Sequence, residues 1–318
     1  MANETTTATL DDITHASLIE PVMIAALSEK PGFWRFCREF DIRNKSTNAA
    51  KIPIENAWWG SPDDNGAGVD TEFNAAQATE IPNTAASTSG ATITAAEYGI
   101  AIEVTDNAQE DSIDGLDMMN HFESRMLHVL SLAMDDDFIA LFASLSNVVG
   151  TTTVDLSIAQ LLAAQTGIRT RGTDAPDGVA YILDTQQGLD VENAFISTSA
   201  SAAVFAFAAD RIINYTPAPN HGMSNRQIAT FRGYPVWVSG LCDTANAGAD
   251  AVGACFVPSS PANDTAGHTT FGMCWKRLPR FETERHAKKR TTDLVMTARA
   301  GFGEMVDGSG TNITTDVD

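Results

Sequence analysis

His121 and His128 stand seven residues apart in a run that ends in Asp135, Asp136 and Asp137. Two helical turns separate the imidazoles, so on a helix they share a face, and imidazole with carboxylate is a metal-binding chemistry. Metal sites in helical bundles use Glu-x-x-His pairs, and this run contains none. We therefore read these side chains as polar positions on a surface or an interface. Asp63-Asp64-Asn65-Gly66 has a faint likeness to a calcium loop but lacks the alternating ligands and the closing bidentate glutamate, which leaves a turn. The pairs Gly66/Gly68, Gly301/Gly303 and Gly308/Gly310 have neither a Walker lysine nor a GxGxxG frame. GxSxG and HExxH do not occur, and Cys37, Cys242, Cys255 and Cys274 show no CxxC spacing. No catalytic, cofactor-binding or metal-binding residue is assigned, and no enzymatic activity is expected.

One charged run has a different chemistry. Lys276, Arg277, Arg280, Arg285, Lys288, Lys289 and Arg290 are interrupted by Glu282 and Glu284. A run of cations can neutralise phosphates, but mixed signs favour a protein seam in which one copy's cations meet the acids of the next. Exposed ion pairs add little affinity one at a time, so such a seam sets register more than strength.

The whole chain supports the seam. It has 318 residues, 41 Asp and Glu against 20 Lys and Arg, and a formal charge of -21. Affinity for DNA usually rests on cations, so an acidic excess of this size argues against nucleic acid as a tight partner. The hydrophobic share of 43% fits a folded chain with a sizeable core. Scattered cysteines fit a reducing compartment. No secretory leader and no apolar run of membrane-spanning length is present. The Thr-rich ends, residues 1–12 and 307–318, are expected to fray unless something outside the subunit holds them.

The elements are organised around residues 112–146. Leu116, Met119, Phe122, Met126, Leu127, Leu130, Met134, Phe138, Leu141, Phe142 and Leu145 recur at three- and four-residue steps without a proline. That spacing predicts one helix of roughly 50 Å, far longer than a three-turn norm. Before it, residues 13–27 predict a short amphipathic helix ended by Pro31-Gly32, followed by the cluster Phe33, Trp34, Phe36 and Phe40. Residues 52–59 and 93–104 predict two strands flanking a long polar connection, as in a projecting ribbon. Trp58 and Trp59, at its base, either anchor a contact with another copy or cap the subunit's own core. Asp106 with Gln109 predicts a helix start. Further on, helices are expected at 156–169, 186–196 and 202–209, and strands at 178–184, 252–257, 270–276 and 290–300. A hairpin is expected around Arg232-Gly233. The last strand is expected to return beside the long helix. The fold class is α+β, a mixed α/β arrangement.

This order of arm, ribbon, spine helix, mixed lobe and returning strand resembles the major capsid protein of tailed bacteriophages, the Hong Kong 97-like fold family. The wording is similar too, at residues 13–27 (ITHASLIEPVMIAAL), 98–106 (YGIAIEVTD), 233–240 (GYPVWVSG) and 280–299 (RFETERHAKKRTTDLVMTAR). The resemblance implies an N-terminal arm (1–50) and an extended β-hairpin loop (51–104) lying over a neighbour. It also implies a peripheral domain with the spine helix (105–149 and 274–318) and an axial domain (150–273). Function would be self-assembly as hexamers and pentamers into an icosahedral shell around double-stranded DNA, in the virion and, during assembly, in the host cytoplasm. Trp58, Trp59 and the charged run would then face other subunits.

Two departures from the family pattern carry expectations. Some members weld subunits through a lysine on the extended loop, and residues 52–104 contain no lysine. Boiled particles should therefore run as single monomers on a denaturing gel. Some members also carry a scaffolding segment ahead of the arm. This chain begins almost at the arm, so a separate scaffolding protein is expected, together with a portal and, where the shell needs one, a decoration protein. Packaged DNA would be touched only non-specifically, and no membrane is involved. The rival readings are an encapsulin compartment, which shares the fold but encloses protein cargo, and a soluble enzyme.

Overall fold

A computed structural model describes residues 4–5, 32–55, 88–110, 118–170, 178–201, 213–214, 227–245 and 248–317. The expected helices at 13–27 and 202–209 and the residues Trp58 and Trp59 lie outside the described residues.

The chain starts with β1 (Glu4–Thr5), a 3-10 turn at Phe33–Phe36, and β2 (Arg38–Asp41). Next come β3 (Ala49–Glu55) and β4 (Thr88–Thr94), which pair antiparallel as the base of the expected ribbon. Residues 93–104 do not form one strand. They divide at Ala95 between β4 and β5 (Ala96–Thr105), and β5 has a different partner. At the division Ala95 N–H donates to Asn48 O at 2.9 Å, and Asn48 Nδ2 donates back to Ala95 O at 3.2 Å. The alternation changes phase just after Ala95: Ala96 and Glu97 are both exposed, and the inward positions pass from Ile93 and Ala95 to Tyr98, Ile100 and Ile102.

Helix α1 (Asp106–Glu110) follows. Its cap is Thr105, whose Oγ1 accepts Ala108 N–H at 3.3 Å, one residue before the expected Asp106. The spine helix α2 is described over Met118–Ile139, 22 residues or about 33 Å, and then tightens into a 3-10 turn at Ala140–Ser144. At its C-terminal end the α-helix stops short of the expected residue 146, and its expected start at residues 112–117 lies outside the described residues. Met126, Leu130, Met134 and Phe138 are buried along one face, whereas Leu127, placed in the same stripe from spacing, is 45% exposed.

Beyond β6 (Val148–Val149), helix α3 (Ile158–Thr170) opens on a capping box. Gln160 N–H donates to Ser157 Oγ, and Ser157 N–H to Gln160 Oε1. Then come β7 (Ala180–Leu183), buried throughout, α4 (Thr185–Ser201) and β8 (Ile213–Asn214). The predicted hairpin is β9 (Gln227–Phe231) and β10 (Tyr234–Val238), turned by Arg232 and Gly233, both at positive φ. Short β11 (Thr244–Ala245) precedes β12 (Asp250–Phe256) and α5 (Pro261–Ala266).

The two longest strands are β13 (Phe271–His286) and β14 (Thr291–Glu304), paired antiparallel. The charged run expected to be a seam is thus the second half of a strand. Its Lys, Arg and Glu residues are weak strand formers, and Pro279 sits where the register shifts between Trp275 and Arg280. Last comes a 3-10 turn at Asp307–Ser309 and β15 (Gly310–Asp316). The C-terminal stretch expected to fray is instead a mostly buried inner strand, held between β6 and β12.

Two sheets result. Sheet one has the order β1-β5-β14-β13-β2, and sheet two runs β6-β15-β12-β7-β10-β9-β8 with β11 beside β12. A single apolar cluster joins them along α2. At its centre Phe138 packs edge-on to Phe142, to Phe256 of sheet two and to Phe271 of sheet one, with ring centroids 5.3–5.9 Å apart. A second cluster fills the space between sheet two and the helices α3 and α4, and a third, with Ile52, Ile93, Cys274 and Met305, seats the ribbon base.

Candidate subunit-contact surface

The charged side chains of β13 and its turn fall into two groups. Several are used within their own subunit. Arg277 pairs with Glu97 at 2.5 Å. Arg285 meets both oxygens of Asp106, at 2.6 and 2.7 Å, and Lys289 lies 3.7 Å from Glu103. All three acids belong to β5 or α1, so these pairs lace the β13–β14 hairpin to the next segment of its own chain. Lys276 Nζ donates to the carbonyl of Lys45. His286 Nε2 is 2.9 Å from Asp293.

The rest face outward. Arg280 and Glu282 form an exposed pair at 2.8 Å, and Glu284, Lys288 and Arg290 are exposed. Arg290 adopts positive φ in the turn, and its carbonyl accepts the N–H of Asp106 at 2.9 Å. Strand β2 covers β13 only over Gly272–Trp275. From Arg277 to His286 the side of β13 away from β14 has no strand partner among the described residues. An unpaired edge of this kind presents backbone donors and acceptors to another chain, and its cations and proline limit which chains can approach. A groove of about 560 Å³ lies nearby, lined by Arg38, Phe40, Lys45, Lys51, Ile52 and Pro53.

The histidine and aspartate run on α2 does not assemble as one site. Asp135 turns inward and is fully buried, accepting Gly32 N–H at 2.8 Å and Trp34 N–H at 2.9 Å. Asp136 and Asp137 turn outward, and Tyr98 donates its hydroxyl to Asp137. Burial raises the Asp136 carboxyl, with the charges of Asp137 and Asp243 adding to it, and raises Tyr98 well above its ordinary value. Burial lowers His128, as does Arg125 beside it. Spacing missed the role of Asp135, although of the three acids between Met134 and Phe138 it is the one that stands three residues before Phe138 and seven before Phe142, on the apolar stripe, where a buried carboxylate needs donors.

The segment that Asp135 holds is a wedge between the sheets. Trp34 packs edge-on to Trp275 of sheet one, while Phe36 packs on Phe256 and Trp237 of sheet two. The expected aromatic cluster is therefore core within this subunit. Among the described residues there is no group of three or more His, Cys, Asp or Glu that could hold a metal, and no helix long and apolar enough to cross a membrane.

No family model matches the sequence, and no curated protein matches it. Solved structures do. The chain is similar to one in the capsid structure of cyanophage P-SCSP1u, with a TM-score of 0.67 at 11% identity over 97% of this chain and 95% of that one. The head structure of Helicobacter pylori bacteriophage KHP40 gives 0.66 at 10% identity over 97% of both chains. The acidic stable capsid of Helicobacter pylori bacteriophage KHP30 gives 0.65 at 11% identity over 99% of both. Likeness over nearly the full length at such low identity is likeness of fold, and the fold is the α+β, Hong Kong 97-like one.

Proposed function

We propose that this chain is the major capsid protein of a tailed bacteriophage, a structural and non-enzymatic subunit that assembles into an icosahedral shell around double-stranded DNA. The observation that carries this reading is the fold shared from end to end with chains of phage capsids and heads. Residues 1–50 act as an arm and 51–104 as the extended loop over a neighbour. Residues 105–149 with 274–318 form the peripheral domain and 150–273 the axial domain, to which β15 adds its strand. The primary partners are further copies in hexamers and pentamers. A separate scaffolding protein, a portal and, where needed, a decoration protein complete the set.

The exposed half of the charged run, Arg280, Glu282 and Glu284 on the open stretch of β13 with Lys288 and Arg290 in the turn after it, meets other subunits there, while Arg277, Arg285 and Lys289 hold the hairpin in place to do so. Trp58 and Trp59 supply apolar contacts from the ribbon. A wall with a charge of -21 binds DNA weakly and leaves it free to exit. Assembled particles belong to the virion, and their precursors to the host cytoplasm.

Negative-stain electron microscopy of the purified protein, expressed with its neighbouring genes, tests the assignment. Closed isometric shells holding nuclease-protected DNA are expected. A monodisperse monomer would overturn the shell reading, and shells filled with protein cargo would overturn the phage assignment.

A further inference from the structure

The groove of about 560 Å³ opens at the foot of the ribbon, between β2, the loop after it and β3. Its floor is apolar, with Phe40, Ile52 and Pro53, and around the floor stand Arg38, Lys45 and Lys51. None of these three cations meets a carboxylate among the described residues. Arg38 Nη1 donates to the backbone carbonyl of Asp264 at 3.0 Å, and its guanidinium lies 5.2 Å from the centre of the Phe40 ring. Lys276, beside the groove, gives its ammonium bond to the carbonyl of Lys45. Asp41 is the one acid of the lining among the described residues, and Arg43 takes both its oxygens, at 2.9 and 2.5 Å. The groove thus keeps an excess of positive charge, in a chain with 41 acids against 20 Lys and Arg.

Cations around an apolar floor suit a polypeptide segment that combines carboxylates with an apolar side chain. Duplex DNA would meet the cations but has nothing to lay on Phe40, Ile52 and Pro53. The chain itself contains a segment of the right kind. Residues 56–87, which connect β3 to β4, hold Asp63, Asp64, Asp70, Glu72 and Glu80 together with Val69 and Phe73, and no Lys, Arg or His. The charges are therefore separated along the ribbon: the connection is wholly acidic and the foot is cationic.

We propose that this groove takes residues 63–73 of a second copy, whose carboxylates meet Arg38, Lys45 and Lys51 while Phe73 covers the apolar floor. An exposed ion pair is weak alone, but here three cations and one apolar surface act on the same short segment. Each copy carries both halves of the contact, so it is heterologous and passes from subunit to subunit. That the segment belongs to a second copy rests on the shell reading, whereas the charge match stands without it.

Cross-linking between copies tests it. Ala49→Cys, in the groove, and Asn65→Cys, in the connection, are coexpressed as separate full chains, and the purified material is mildly oxidised and run unreduced on a denaturing gel. The native thiols are buried, so the introduced pair dominates. A dimer band is expected from the mixture and from neither variant alone. Lys45→Glu with Lys51→Glu in the Ala49→Cys copy should cut its yield at least about tenfold, and Asp63→Lys with Asp64→Lys in the Asn65→Cys copy should restore it. Both lysines are exposed, so their reversal leaves the core untouched. No band from the mixture, or a band indifferent to the reversal, overturns the proposal. An internally linked monomer from a chain carrying both cysteines overturns it too, because the segment would then sit on its own copy. So does a lysine-dependent gel shift of duplex DNA without the band, which would make the groove a phosphate site. Closed shells without the band remove this inference and leave the shell reading, and a band from copies that never close does the opposite.

Discussion

Asp135 and Trp34 are 101 residues apart in sequence, yet the buried carboxylate of the first accepts the backbone N–H of the second at 2.9 Å. Its other oxygen takes Gly32 N–H at 2.8 Å, so one side chain of the spine helix fixes the entry to the aromatic wedge. Asp135→Ala would leave two N–H groups without their acceptor in a dry site, at a cost of about 3 kcal/mol. Asp135→Asn, which keeps one good acceptor, should lose less. Urea unfolding of the wild type and both variants measures the order, and equal midpoints for wild type and Asp135→Ala would show that the contact carries no stability.

Phe138 of the spine helix closes a triangle of rings with Phe256 of sheet two and Phe271 of sheet one, all three pairs of centroids 5.3–5.9 Å apart. Phe138→Ala should destabilise by about 4 kcal/mol, in the range for deleting a buried aromatic ring. Phe138→Leu should cost about half as much and leave the far-ultraviolet spectrum unchanged. Because the ring joins the sheets, the variant is also expected to separate their unfolding, which two transitions in calorimetry would reveal.

Gly301 lies directly beneath the point at which β4 hands over to β5. A Cβ there would stand 2.2 Å from the carbonyl oxygen of Thr94, which is backbone and cannot swing aside. Gly301→Ala should therefore displace the ribbon base and cost at least about 2 kcal/mol. Increased exchange at 88–96, with little change in sheet two, is the expected signature.

All four cysteines are buried, and none is in a disulfide. Burial pushes the Cys37 thiol up, and the negative charge of Asp135 pushes it further. Burial likewise raises Cys255 and Cys274. Since the thiolate is the reactive form, a disulfide-exchange reagent at pH 8 should label the native protein at least ~100-fold more slowly than the unfolded chain. Rapid native labelling at any one position would show that its segment opens.

What could be read in advance followed the strength of the local signal. The buried half of the spine, the helix expected at 156–169 and the turn at Arg232-Gly233 were legible because apolar periodicity and turn composition each leave a mark on nearby residues. The switch at Ala95 and the length of β13 were not, because each depends on a partner strand distant in sequence. The charged run stood out by composition, but nothing in it announced that Arg285 would reach Asp106. Polar Thr and Asn at 311–315 masked β15, which is buried by its neighbours rather than by its own hydrophobicity.

That strand also sets the order in which the molecule can be made. β15 comes from residues 310–316 but lies between β6 and β12, which the ribosome completes long before. Until it arrives, Val149 and Ala254 border an empty slot with exposed backbone on either side. Sheet two must therefore wait for nearly the whole chain to emerge, and a nascent chain stalled short of residue 310 offers two sticky edges that β15 later covers.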